Sequence, residues 1–176
     1  MCPEPSDKQK ASSVVFQRQR KLSRMLAIQF LFQTDVRNEW EPLTEERLAL
    51  FRELAEHQPD PNEEEKDENA EVVRDFKHSW NYAEKLIRGV LENRVEIDEL
   101  IVKAAANWSL TRMGSVDRTI LRIGTFEITK LPNLSAATAI NEAVELAKSF
   151  GQPDSPRFIN GVLDKIRKTT EQPPQA

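Results

Sequence analysis

Apolar residues recur every third or fourth position along most of the chain, and no stretch alternates strictly as a half-buried strand would. This spacing predicts a first helix from about Phe16 to Val36, with Leu22, Met25, Leu26, Ile28, Phe30 and Phe32 on a broad apolar face. Thr44 followed by Glu45 and Glu46 opens a second, because a hydroxyl cap and early acids suit the positive end of a helix. A third runs from about Val72 to Arg94 and a fourth from about Glu96 to Asn107. A fifth follows Met113-Gly114, with Ser115 as its cap, and Pro132 closes it. Ser135 caps a sixth that ends at Gly151. Ser155-Pro156, a cap residue followed by proline at the first helical position, opens a seventh. The fold class is therefore all-α, a bundle of about seven helices. Three residues disturb this pattern: Asn141 within the sixth helix and Asn160-Gly161 within the seventh. Each costs roughly 0.5–1 kcal/mol against alanine inside a helix. They read as helix-packing and polar-network positions, Gly161 letting a neighbouring helix approach.

Composition divides the 176 residues unevenly. Residues 1–24 carry six basic side chains against two acidic ones, and residues 39–75 carry fourteen acidic against four basic. The net charge of −4 thus hides a basic end and an acidic insertion, an asymmetry that suggests a polyanionic partner. The organisation expected is a flexible basic arm over 1–17, a helical domain over 18–169 with an acidic loop at about 56–71, and a disordered tail over 170–176. One cysteine, Cys2, makes neither an internal disulfide nor a metal site. No apolar run approaches membrane-spanning length, and the first residues lack the apolar core of a signal peptide, so a cytoplasmic setting is the natural reading.

Two stretches carry candidate chemistry. In "RQRKLSR", residues 18–24, Arg20 and Arg24 lie one turn apart and are expected to share a face with Lys21, with Arg18 on the approach. Several cations on one face can meet consecutive phosphates, giving salt-dependent affinity, although a solvated helix face would look the same. In "GQPDSPRF", residues 151–158, Arg157 stands in the first turn of a helix, where the dipole disfavours a cation. A helix start with free N–H groups, an arginine and the aromatic Phe158 can hold a phosphate or stack on a base. The helix cap alone also explains Ser155 and Pro156. His57 and His78 stand apart from any nucleophile, and there is no phosphate-binding glycine loop and no zinc spacing, so an enzyme is not expected.

Taken together, "NWSLTRMGSVDRTILRIGTFEI", "AINEAVELAKSFGQPDSPRFINGVLDKI" and "RKLSRMLAIQFLFQTDV" resemble the NusB family of transcription antitermination factors, over roughly residues 18–38 and 80–169. The resemblance implies two three-helix-like halves around a long helix. It also implies binding of the box A element of nascent RNA, notably of ribosomal RNA operons, jointly with NusE, a protein of the small ribosomal subunit. The pair then helps RNA polymerase read through terminators, with no cofactor and no enzymatic step, and homodimerisation of the free protein is left open. By the same resemblance Arg20, Lys21 and Arg24 match the family's basic RNA-contacting cluster, and Phe32 a position near the RNA and partner surface. Asp117 matches an acidic position close to both, and Asp154, Arg157 and Phe158 match the turn that borders the RNA, where Asp154 would temper affinity by repulsion. Leu22 stands where another arginine is frequent, and Pro156 replaces a polar or small residue. Two rival readings are a NusB-like module of an RNA cytosine methyltransferase and a helical adaptor that binds protein alone. The chain carries no methyl-donor-binding glycine-rich turn, which argues against the first.

Overall fold

The apolar spacing is realised as seven α-helices and one short 3-10 turn. A computed structural model describes the backbone of residues 7–57, 69–106 and 108–171, and within them the side chains from 14 to 57 and from 76 onward. The helices are α1 (Asp7–Arg37), α2 (Glu45–Glu56), α3 (Asn69–Glu92), α4 (Arg94–Ala104), α5 (Ser115–Lys130), α6 (Ala136–Phe150) and α7 (Ser155–Glu171), with the 3-10 turn at Leu110–Arg112. No strand occurs among the described residues.

Several expected boundaries move, each for a local reason. The helix α1 begins at Asp7, so residues 7–17 continue it and do not form a flexible arm. Between Pro5 and Pro42 there is neither proline nor glycine to break it. Residues 1–6, the acidic stretch 58–68 and the end 172–176 lie outside the described residues, while 69–71 already belong to α3 and 170–171 to α7. Thr44 and Ser135 cap as expected: their hydroxyls accept the N–H groups of Arg47 at 3.2 Å and Thr138 at 3.1 Å. Ser115 does not cap; Gly114 occupies that position and Ser115 is the first helical residue. Ser155 likewise sits inside α7, buried, and its hydroxyl accepts the N–H of Gln152 at 2.9 Å, which folds the preceding turn back on the helix.

The helix α5 forms the centre, buried without interruption from Thr119 to Glu127 and packed against α1, α3, α4, α6 and α7. Two cross-links set its direction. Arg24 on α1 meets Glu127 near the end of α5, and Asp35 near the end of α1 meets Arg118 near its start, so the two helices run antiparallel. A short connection then returns α6 alongside α5, parallel to α1. One end of the molecule thereby collects the C-terminal turns of α1, the start of α5 and the α6–α7 turn. The close approaches are made by glycines other than the one expected. A Cβ on Gly89 would stand 2.0 Å from the Phe126 ring, and one on Gly124 2.7 Å from Leu163. A Cβ on Gly161 would meet nothing within 4 Å, and Gly161 is exposed, as are Asn141 and Asn160. These three are surface positions, which corrects the packing role expected of them.

Candidate nucleic-acid interface

At 100° per residue, Arg18, Lys21, Gln29, Phe32 and Val36 fall on one flank of α1, and all are exposed or half-buried. Arg20 and Arg24 lie on the flank turned toward α3. The expectation that Arg20, Lys21 and Arg24 present a single cationic face therefore does not hold at Arg24, whose side chain is only 2% exposed. Its Nε donates to Glu127 Oε1 at 3.0 Å and its Nη1 to Glu142 Oε2 at 3.0 Å. Glu127 is 1% exposed and also accepts the Tyr82 hydroxyl at 2.6 Å. Burial, followed by the Glu127 charge, pushes the Tyr82 hydroxyl well above its usual range, so it stays a donor. A guanidinium so engaged cannot reach a phosphate without exposing a carboxylate below it. Arg24 instead fixes the register of α1 on α5 and α6, which sets where Lys21 points.

The opposite end is organised by a second buried network. Asp35 accepts from Arg118 and, at 2.6 Å, from Arg122 Nη1, whose Nε donates to Asp98 Oδ1 at 2.7 Å. Burial would raise the Asp35 carboxyl, but hydrogen bonds from Arg118 and Arg122 outweigh it and hold the group below its ordinary 3.8. Arg118 Nη1 also donates to the carbonyls of Leu110 at 2.6 Å and Met113 at 2.9 Å, tying the approach to α5 onto α1. Phe32 and Asp117 consequently lie on adjoining helix ends. Across the same end, Asp154 and Arg157 are exposed at the α6–α7 turn, and the half-buried Phe158 packs against Trp108 with ring centres 5.9 Å apart.

The structure thus sorts the expected residues into two groups. Arg18, Arg20 and Lys21 stand toward the N-terminal half of α1; Phe32, Asp117, Asp154, Arg157 and Phe158 gather at the far end. Twelve residues of helix separate Arg20 from Phe32, about 18 Å at 1.5 Å per residue, or about five phosphate steps of a helical strand. Arg20, Lys21 and Arg157 have no ion-pair partner among the described residues, whereas Arg24, Arg88, Arg118, Arg122 and Arg167 do. Sequence reasoning missed Trp108, 53% exposed beside Phe158, and it missed Tyr82 and Lys85 beside Arg20. Trp108 carried a signal, a large aromatic in a polar connection; Tyr82 carried none, because only the fold brings α3 against α1.

A model of the NusB family matches residues 21–168, from Lys21 of the cationic flank to the last turn of α7. The chain belongs to the NusB family. The transcription antitermination protein NusB of Geobacter sulfurreducens is 41% identical over 151 residues, covering 85% of this chain and 94% of the relative. Among solved structures, NusB of T. maritima superposes with a TM-score of 0.61 at 32% identity, covering 85% of this chain and 90% of that one. A crystal structure of the antitermination factors NusB and NusE in complex with dsRNA matches with a TM-score of 0.63 at 30% identity, covering 86% and 98%. The NusB-family match thus spans both groups of residues but leaves residues 7–20 of α1, with Arg18 and Arg20, ahead of it. It also spans Arg24, Arg118 and Arg122, the three arginines whose ion pairs cross-link α1, α4, α5 and α6 here.

Proposed function

We propose that this protein binds the box A segment of nascent RNA jointly with NusE and acts in transcription antitermination, carrying the RNA to RNA polymerase without a catalytic step of its own. The observation that carries this is the placing of cations: in an acidic protein whose internal arginines are ion-paired, Arg20, Lys21 and Arg157, all at positions that the family resemblance singles out, belong to the cations with no acidic partner among the described residues. Family membership supports it, as does the structural relative that holds NusE and dsRNA. Phe32 and Asp117, at the far end, stand where RNA and partner meet, with Asp154, Arg157 and Phe158 bordering the RNA. Such a protein works in the cytoplasm, where nascent transcripts are; no helix among the described residues is long and apolar enough to cross a membrane.

The test is box A RNA binding across a salt series, with and without NusE, for the wild type and for Arg20→Ala/Lys21→Ala. RNA should bind weakly alone and more tightly with the partner. The double variant should flatten the slope of log affinity against log salt by about 1.4, two single-stranded phosphate contacts at about 0.7 each. An unchanged slope overturns the assigned surface. Binding to the partner with no RNA effect would instead favour a protein-only adaptor.

A further inference from the structure

Arg20 is held in an unusual way for a surface arginine. The centre of its guanidinium lies 3.6 Å from the middle of the Tyr82 ring and 4.9 Å from that of Phe16. A planar cation within cation–π reach of two rings is held by its face and leaves its N–H edges to donate outward. No side-chain or backbone acceptor among the described residues takes those edges. A groove opens on each side of the stack. One, of about 340 Å³, lies between α1, α3 and the α5–α6 connection and is lined by Arg20, Tyr82, Lys85, Asn133, Thr138 and Glu142. The other, of about 430 Å³, lies between α1 and α3 and adds Ser23, His78 and Asn81. Both fall within the range that holds a small ligand.

The chemistry of these walls selects among polyanions. Lys85 is exposed and, like Arg20, has no ion pair among the described residues. The one carboxylate lining the grooves among the described residues, Glu142, accepts from Arg24 at 3.0 Å, a cation it shares with Glu127, so the excess positive charge of the walls comes from Arg20 and Lys85. Phe16 is 55% exposed, so a flat aromatic face stands open at the mouth. The carboxamides of Asn81 and Asn133 add paired donors and acceptors of the kind that read base edges. An acidic peptide would use the cations and leave the aromatic face and the amides unengaged; a nucleotide uses all three. Lys21, on the flank assigned to box A, adjoins Arg20 in sequence, so a strand leaving that flank reaches the grooves without a gap.

The geometry points to a second RNA subsite, formed by Phe16, Tyr82 and Lys85 around Arg20, that takes one or two single-stranded nucleotides flanking box A. It rests on the box A reading above and extends the bound RNA from α1 onto α3. The test uses the full chain with NusE and three oligonucleotides: box A alone, and box A lengthened by a few nucleotides on its 5′ or its 3′ side. For the wild type, one of the two extensions should tighten binding about five- to tenfold, as expected of a stacked base with a charge-assisted phosphate contact. Lys85→Gln and Phe16→Ala should each cut that gain to less than about twofold and change binding of box A alone far less. Both side chains are exposed, so melting curves should match the wild type and confirm that loss of gain is not loss of fold. Box A binding with no gain from either extension overturns this subsite and leaves the functional reading intact. Equal losses on short and long RNA reduce it to a general charge effect and also overturn it. Absence of any box A binding overturns both.

Discussion

Arg20, Lys21 and Arg24 are chemically alike and nearly adjacent, yet the structure gives each a different fate. Arg20 lies against the Tyr82 and Phe16 rings, Lys21 faces solvent, and Arg24 is locked between Glu127 and Glu142. Removing one partner of a buried ion pair strands the other charge, so Arg24→Ala should lose about 3–5 kcal/mol of stability in urea unfolding. Lys21→Ala should lose less than about 0.5 kcal/mol, as an unpaired surface substitution does. Any RNA defect of Arg24→Ala would then follow the loss of fold, whereas that of Lys21→Ala would not. Asp154 is exposed beside Arg157 and has no ion pair among the described residues, so its charge acts on whatever docks at the α6–α7 turn. Asp154→Asn should tighten RNA binding about two- to threefold at low salt, with less effect as screening rises; weaker binding would refute the repulsion. The sequence shows that cations cluster at 18–24 but not which of them turns inward, because that depends on Glu127 and Glu142, more than a hundred residues away.

Helices were legible because apolar spacing and turn residues are local; what joins them was not. The apolar positions of α5, Val116, Ile120, Ile123 and Phe126, make a stripe, but the helix is buried all round from Thr119 to Glu127, and its Arg122 and Glu127 are interior charges that local polarity would place in water. Their carboxylate and guanidinium partners come from α1 and α4, and Glu127 also takes the Tyr82 hydroxyl from α3. The Asp35–Arg118–Arg122–Asp98 network joins α1, α4 and α5, and its acid dependence follows in sign. The folded Asp35 carboxyl titrates below its ordinary value, so its contribution is complete above about pH 5 and is lost as pH falls through the lowered value. Asp35→Asn should be less stable at pH 7 and should lose less further stability than the wild type between pH 5 and 3, as urea midpoints across that range would show. Between α3 and α5 the limiting contact is Gly89 against Phe126. A methyl there forces the buried ring to move, so Gly89→Ala should cost about 1–3 kcal/mol despite alanine's better helix propensity, lowering the melting temperature by several degrees. No local signal distinguishes this glycine from the exposed Gly161, which looks equally anomalous in sequence and touches nothing.

At the scale of the whole molecule, the proposed RNA surface is two cationic sites on one packed helical frame. Arg24 joins α1 to Glu142 on α6, and from Glu142 the helix runs eight residues to Phe150, about 12 Å, before the turn that carries Arg157. Lys21 and Arg157 are thus held apart by packed helix, share no side-chain partner, and neither can shift to replace the other. One RNA that touches both should feel their loss independently. Lys21→Ala and Arg157→Ala should each weaken box A binding, each flatten the salt slope by about 0.7, and in combination give the product of the single effects, with a coupling within about 0.5 kcal/mol. A markedly smaller combined loss would mean that the two cations serve one phosphate, which the frame forbids unless α6 or α7 moves on binding. A markedly larger one would mean that either site alone suffices to seat the RNA. Salt titrations of the two single variants and the double variant, all with NusE present, distinguish these outcomes. They also test whether the buried latch at Arg24 sets the spacing of the two proposed contact residues.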